Sequence, residues 1–254
     1  MSAWQSRAAD APDRTGVFVD FDGTLAPIVA DPVTASPHPA AAGLLAGLSR
    51  RWGRVVVISG RPVEFLLSHL AGAGRTQLYG LYGLERASAI SGDIRTEPEA
   101  EQWRPVVAEV AAAAEREAPR GVYVEHKGLT VTIHYRNAPE RAAWVEQSAA
   151  DSQVRSGLAA HGGKMSVELR PPVRIDKGTV VEDLASGLDA VLFAGDDIGD
   201  LPAFAALRRL RGEGVTTLSV ACGGDETPLE VLEAADMVVE GPEGVVEILS
   251  RLLG

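Results

Sequence analysis

Short apolar runs recur along the chain with helical patterns between them. Val17-Phe18-Val19 is unbroken by any polar residue, the mark of a strand buried on both faces. Arg54-Val55-Val56-Val57-Ile58 and Ala190-Val191-Leu192-Phe193-Ala194 repeat it. Residues 40–51 carry apolar positions at helical spacing, and residues 62–70 open on Pro62, a residue favoured at a helix start. A third strand is expected near residues 77–81. This β, α, β, α, β order predicts a parallel sheet with right-handed crossovers. The rhythm then changes. One long Ala- and Glu-rich helix is expected over 98–117, followed by paired strands at 122–125 and 129–135 around His126-Lys127-Gly128. A helix at 139–151 and an alternating strand at 164–169 complete an α+β unit that leaves through Arg170-Pro171-Pro172. The first rhythm resumes with a helix over 176–186, the strand at 190–194, a helix over 201–210, short strands at 215–220 and 237–239, and a closing helix at 242–253. The pattern predicts a Rossmann-like α/β core at 15–95 and 173–254, an inserted α+β domain at 96–172, and a polar, disordered lead-in at 1–14.

The chain has 254 residues, 46% of them hydrophobic and 5% aromatic, enough for one large or two modest packed domains. The formal net charge is −11 and the pI about 5.0. That balance argues against a nucleic-acid partner, which needs a basic surface. An anionic small molecule stays admissible, because one local Mg²⁺ or Lys outweighs the global field. Cys222 is the single cysteine, so no internal disulfide forms. It reads as a small apolar filler, and a reducing, cytoplasmic setting is expected. No run of 18 apolar residues suggests a membrane span, and the N-terminus lacks an apolar signal core. A monomer is expected.

Candidate chemistry gathers where strands end. Asp20 and Asp22 follow the first strand at i, i+2 and lead into Gly23-Thr24. Alternate residues of an extended segment point the same way, and open parallel sheets bind ligands beyond the carboxyl ends of their strands. An isolated Asp-x-Asp-Gly is equally an acidic turn; the other segments favour a site. Ser59-Gly60-Arg61 ends the second strand, Lys177 opens a helix, and Gly195-Asp196-Asp197 ends the fourth. Phosphoryl transfer uses these residue types: a carboxylate nucleophile, a second carboxylate as general acid and base, further acids for Mg²⁺, and hydroxyl, backbone N–H and ammonium groups for phosphate oxygens. Taken singly, Ser59 would be a helix cap, Lys177 a surface charge, and Glu125, Lys127 and Glu168 a solvated sheet face.

The set resembles the haloacid dehalogenase superfamily, whose Asp-x-Asp-Gly-Thr-Leu opening is matched by residues 20–25 and whose later motifs are matched by Ser59, Lys177 and Gly195-Asp196-Asp197. Within it the chain is similar to trehalose-6-phosphate phosphatases through Ser59-Gly60-Arg61-Pro62, Gly80-Leu81-Tyr82-Gly83-Leu84-Glu85, Glu125-His126-Lys127, His134-Tyr135-Arg136, Glu168-Leu169-Arg170-Pro171 and Asp176-Lys177-Gly178. It departs at Tyr82, where the family usually has His, and at Gly199 and Leu201, where Thr and Glu are usual. The resemblance implies that the inserted domain is a cap and that the substrate is trehalose 6-phosphate. It implies Asp20 as nucleophile, Asp22 as general acid and base, and Mg²⁺ on Asp20, the Asp22 carbonyl and Asp196. Ser59, Gly60 and Lys177 would bind phosphate, and Arg61, Glu125, Lys127 and Glu168 substrate. Arg61 alternatively pairs with a core carboxylate. Asp197 and Asp200 would support the metal or cap a helix, and Thr24 the turn. Tyr82, Gly83 and Glu85 would shape the site floor; His134 and Arg136 could face either way, and His126 and Arg170 read as structural or solvated. Two other functions compete: the same chemistry on sucrose 6-phosphate or mannosyl-3-phosphoglycerate, and a non-catalytic regulatory partner of a sugar-phosphate synthase, which would usually have lost the nucleophile.

Overall fold

The computed structural model describes residues 2–29, 32–224 and 227–253. By contact the chain divides into two units, Met1–Arg95 with Ile175–Gly254, and Thr96–Arg174. In chain order the strands are β1 (Thr15–Val19), β2 (Arg54–Ile58), β3 (Gln77–Gly80), β4 (Glu85–Ser88), β5 (Arg95–Thr96), β6 (Tyr123–His126), β7 (Val131–His134), β8 (Ala159–Gly163), β9 (Ser166–Arg170), β10 (Ala190–Gly195), β11 (Thr216–Gly223) and β12 (Met237–Glu240). The helices are α1 (Ser2–Asp10), α2 (Ala41–Arg51), α3 (Val63–His69), α4 (Pro98–Glu101), α5 (Arg104–Glu117), α6 (Ala142–Ser156), α7 (Lys177–Ala185), α8 (Leu201–Gly212), α9 (Leu229–Ala234) and α10 (Gly241–Arg251).

The first unit is built on a sheet ordered β12-β11-β10-β1-β2-β3-β4-β5, parallel from β12 to β3 with β4 antiparallel to β3. Its central strands bury both faces, which is why they read as continuous apolar runs. Val17 and Val19 pack with Leu45, Leu48, Leu192 and Leu249 on one side. Phe18 and Phe193 pack with Val181, Phe204 and Leu207 on the other. β1 lies between β10 and β2, so three apolar strands deliver their carboxyl ends side by side.

The second unit is an antiparallel sheet ordered β6-β7-β9-β8. Val124, Val131, Ile133 and Leu169 meet Val107, Ala111, Val145 and Ala149 of α5 and α6. The opposite face carries Glu125, Thr132, Glu168 and His161 in one cross-strand row.

Four local expectations are corrected. Residues 2–10, expected to be disordered, form α1: Trp4 and Ala8, one turn apart on the same face, are buried, and Trp4 lies against Trp52 with ring centroids 6.3 Å apart. The single helix expected over 98–117 is two, interrupted at Gln102 and Trp103. Pro105 lacks an N–H and its ring crowds the carbonyl four residues back, so α5 starts afresh with proline in its first turn. β8 was not expected, because Ala-Ala-His-Gly-Gly has no strand propensity; its pairing with β9 makes it a strand. Nor was β4, which pairs with β3.

Candidate active site

Asp20 is the first residue past β1, and its N–H donates to the Ala194 carbonyl of β10 (2.8 Å). The residue is 4% exposed. Lys177 opens α7, whose start is set by a reciprocal cap: the Asp176 carboxylate accepts from Thr179 N–H (2.8 Å), and Thr179 Oγ1 accepts from Asp176 N–H (3.0 Å). So placed, the Lys177 ammonium lies 2.8 Å from Asp20 Oδ1 and 2.6 Å from Asp200 Oδ1. The other Asp200 oxygen accepts the amides of Asp196 (2.9 Å) and Asp197 (3.1 Å). Asp200 therefore braces the loop after β10 and ties it to Lys177.

Carboxylate oxygens of Asp20, Asp196 and Asp200 lie within 4.8 Å of one another. Charge balance shows what such a cluster lacks. Burial pushes the Asp20 carboxyl up; Lys177 pulls it down, and Asp200, Asp196 and Asp197 push it up again, leaving it well above the usual carboxylate range. Burial and Asp197 likewise raise Asp200 against the pull of Lys177. Burial pulls Lys177 down, but Asp20, Asp200 and Asp197 hold it well above its ordinary value. One ammonium faces four carboxylates, and a divalent cation would neutralise the surplus. The all-oxygen donor set suits Mg²⁺. The space is shaped for it: a Cβ on Gly23, whose φ is +76°, would fall 2.0 Å from Asp196 Oδ2, so only glycine lets the two loops approach this closely. Both Asp200 oxygens are engaged, one by Lys177 and the other by the amides of Asp196 and Asp197.

Asp22 is held differently. Arg61 Nε donates to its Oδ2 (2.7 Å) and Arg61 Nη2 to its Oδ1 (2.8 Å), a bidentate clamp. Arg61 also donates to the Pro32 carbonyl (2.9 Å), and its guanidinium stacks over Phe65 at 4.5 Å. Of the two roles considered for Arg61, the structure displays the pairing with a core carboxylate. Ser59 is buried at the end of β2; its N–H donates to the Tyr79 carbonyl (2.8 Å) and its Oγ accepts from Arg61 N–H (3.1 Å). Thr24 Oγ1 is buried without a hydrogen-bond partner among the described residues, so its hydroxyl braces the turn through none of them. Glu85 accepts from the first helical N–H of α3, at Val63 (2.9 Å), acting as a cap.

Tyr82 stands with Leu81 in the left-handed region, at φ +61° and +49°, backbone that non-glycine residues adopt at a cost of about 1–3 kcal/mol. Its ring lies 5.9 Å from the Lys177 ammonium. A Cβ on Gly60 would fall 2.7 Å from its hydroxyl oxygen, and one on Gly199 would fall 3.4 Å from its ring. Two of the three family departures, Tyr82 and Gly199, thus meet in space.

In the second unit Glu125 Oε2 lies 2.9 Å from His134 Nε2 and 3.7 Å from the Lys127 ammonium. Lys127 reaches Glu168 Oε1 (3.3 Å), which also accepts from Thr130 Oγ1 (2.8 Å). Arg170 donates twice to Glu168 Oε2 (2.8 and 3.1 Å). Burial alone would raise Glu168; Lys127, Arg170 and the Thr130 hydroxyl overturn that and bring it to about 2. Glu125, Lys127 and Glu168 form one network with Thr130, His134 and Arg170; sequence reasoning missed Thr130, left the direction of His134 open and read Arg170 as structural or solvated. Alternation was the available signal, since Thr130, Thr132 and His134 interleave with Val131 and Ile133.

Among known proteins, residues 18–232 match the Trehalose-phosphatase family model. A trehalose-phosphate phosphatase of Mycolicibacterium paratuberculosis is 36% identical over 80% of this chain, which spans only 54% of that relative. A probable trehalose-phosphate phosphatase of Sinorhizobium fredii is 31% identical over 94% of this chain and 89% of its own length. The fold is shared with the C-terminal domain of C. albicans trehalose-6-phosphate phosphatase (TM-score 0.78, 23% identity, covering 100% of this chain and 96% of that one). It is also shared with a haloacid dehalogenase-like hydrolase from Bacteroides thetaiotaomicron (TM-score 0.64, 18% identity, covering 94% and 99%).

Proposed function

Since the chain belongs to the trehalose-phosphatase family, we propose that it hydrolyses trehalose 6-phosphate to trehalose and inorganic phosphate, as a step of trehalose biosynthesis. The observation that carries the reading is the convergence of Asp20, Asp196, Asp200 and Lys177 at one buried point.

Asp20 is the nucleophile. Its oxygen forms a bond to phosphorus as the phosphorus–sugar oxygen bond breaks, giving an aspartyl-phosphate. Asp22 delivers a proton to the departing sugar oxygen. It then takes one from the water whose oxygen attacks phosphorus, releasing phosphate and regenerating Asp20. Arg61 fixes the direction of the Asp22 carboxylate. Lys177, Ser59 and the Gly60 amide hold the phosphate oxygens. Asp20, Asp196 and the Asp22 carbonyl would hold Mg²⁺, which when bound would supply neutralising charge to the transferring group. Acid–base help contributes about 10²–10⁴ in rate, while enhancements of monoester hydrolysis reach about 10²¹; positioning and electrostatics supply most of the difference. In the second unit Glu125, Lys127 and Glu168 read sugar hydroxyls.

Phosphate release is the test, measured on trehalose 6-phosphate, sucrose 6-phosphate, mannosyl-3-phosphoglycerate and glucose 6-phosphate, with excess Mg²⁺ and with EDTA. Turnover is expected to be fastest on trehalose 6-phosphate and lost in EDTA. Asp20→Asn is expected to abolish it while leaving the circular dichroism spectrum unchanged. Substantial residual turnover by that variant would remove Asp20 as nucleophile, and preference for another sugar would reassign the substrate.

A further inference from the structure

We infer that Thr132 is a further sugar-binding residue, its hydroxyl held in reserve for a hydroxyl of the substrate; the inference rests on the proposed function and adds one group to the sugar-reading set of the second unit. Thr132 lies on β7 directly opposite Glu125 of β6 and Glu168 of β9. It is 3% exposed, and its Oγ1 is buried with no hydrogen-bond partner among the described residues. Buried hydroxyls are almost always bonded, because leaving one unmade sacrifices its hydration for nothing. The lack of a partner is not a shortage of polar neighbours. Thr130, on the same face two residues earlier, gives its hydroxyl to Glu168 Oε1. Both carboxylates flanking Thr132 are instead engaged by others: Glu125 by His134 and Lys127, Glu168 by Thr130, Lys127 and Arg170. The network closes around Thr132 and leaves its hydroxyl out.

The chemistry of the row says what would complete it. Glu125 and Glu168 accept, Lys127 donates, and the Thr132 hydroxyl does both. A polyol, each of whose hydroxyls both donates and accepts, pairs with all of them. Strands stand about 4.7–4.9 Å apart, so the row from β6 across β7 to β9 spans roughly 10 Å, the scale of a disaccharide rather than of one hydroxyl. An anion would be repelled by the flanking carboxylates, so the phosphate is not the group read here.

Thr132→Val tests the inference, since valine keeps the shape and removes only the hydroxyl. The full chain is assayed on trehalose 6-phosphate and on p-nitrophenyl phosphate, with thermal melts alongside. The expected result is a rise of roughly three- to tenfold in KM for the disaccharide phosphate, the range of one neutral hydrogen bond. Hydrolysis of the aryl phosphate should be unchanged and the melting temperature equal or higher. Thr132→Ser should restore the wild-type KM. If Thr132→Val leaves KM for the disaccharide unchanged, or changes both substrates alike, the hydroxyl is a packing cost alone and the inference is overturned while the proposed function stands. If the wild-type chain releases no phosphate from trehalose 6-phosphate, both fall.

Discussion

At Glu168 burial and charge pull in opposite directions, and the neighbours win. Desolvation alone would raise this carboxyl; Lys127, Arg170 and Thr130 bring it from its ordinary 4.5 down to about 2. A group whose folded value lies below its unfolded one adds stability that is present above the unfolded value and fades as pH falls towards the folded one. For Glu168 that window runs from 4.5 to about 2, and the contribution is on the order of 3 kcal/mol. Urea midpoints of the wild-type chain are expected to fall across this window, and those of Glu168→Gln to fall less steeply. Equal slopes would show that the ion pairs of Glu168 do not stabilise the fold. Asp22 presents the contrasting case. Its partner Arg61 lies 39 positions away in sequence, and no local pattern announces that the clamp forms.

Elements set the site by where they stop. Asp20, Ser59 and Asp196 are the first residues past β1, β2 and β10, and the cap at Asp176 starts α7 so that Lys177 follows at once. Each of these ends was legible from a run of apolar residues meeting a polar one. The contact between segments was not. Tyr82 leaves β3 in left-handed backbone, and its ring occupies the space beside Gly199, in the turn after β10. A threonine at 199 would bring its side-chain atoms against that ring and against Asp197, whose Oδ1 would lie 3.0 Å from the new Cβ. Gly199→Thr is expected to lower kcat/KM by about tenfold, and Tyr82→His, a smaller ring, to recover part of that loss in the double variant. The coupling expected for touching residues is about 0.5–3 kcal/mol. A double-mutant cycle measures it, and strictly additive effects would show the two positions to be independent.

Across the whole molecule, α1 ties the chain's beginning to strands far along it. Trp4 is 2% exposed and belongs to the same apolar cluster as Leu48, Trp52 and Leu218, while Arg7 pairs with Asp189 (2.7 Å). Trp4→Ala should therefore cost about 3–5 kcal/mol, as large-to-small changes in cores do. A denaturant midpoint shifted by the equivalent of less than about 1 kcal/mol would place α1 outside the cooperative core. The reading of residues 2–14 as disordered failed because two apolar residues in an Ala-rich polar stretch give a weak periodic signal, while Trp52 and its neighbours, which cover Trp4, lie dozens of residues away; residue 1 lies outside the described residues. The α/β class and the interruption of its rhythm were legible because periodicity is local: a strand buried on both faces must be apolar throughout, and a helix must repeat its stripe. Residue types alone likewise marked where acids, hydroxyl and ammonium follow strand ends. Tertiary structure alone decided which of those groups touch. The clamp of Arg61 on Asp22, the brace of Asp200 on Lys177, the nesting of Tyr82 beside Gly199 and the unpartnered hydroxyl of Thr132 all depend on packing between segments far apart in the chain, and such packing answers to the geometry of both partners at once.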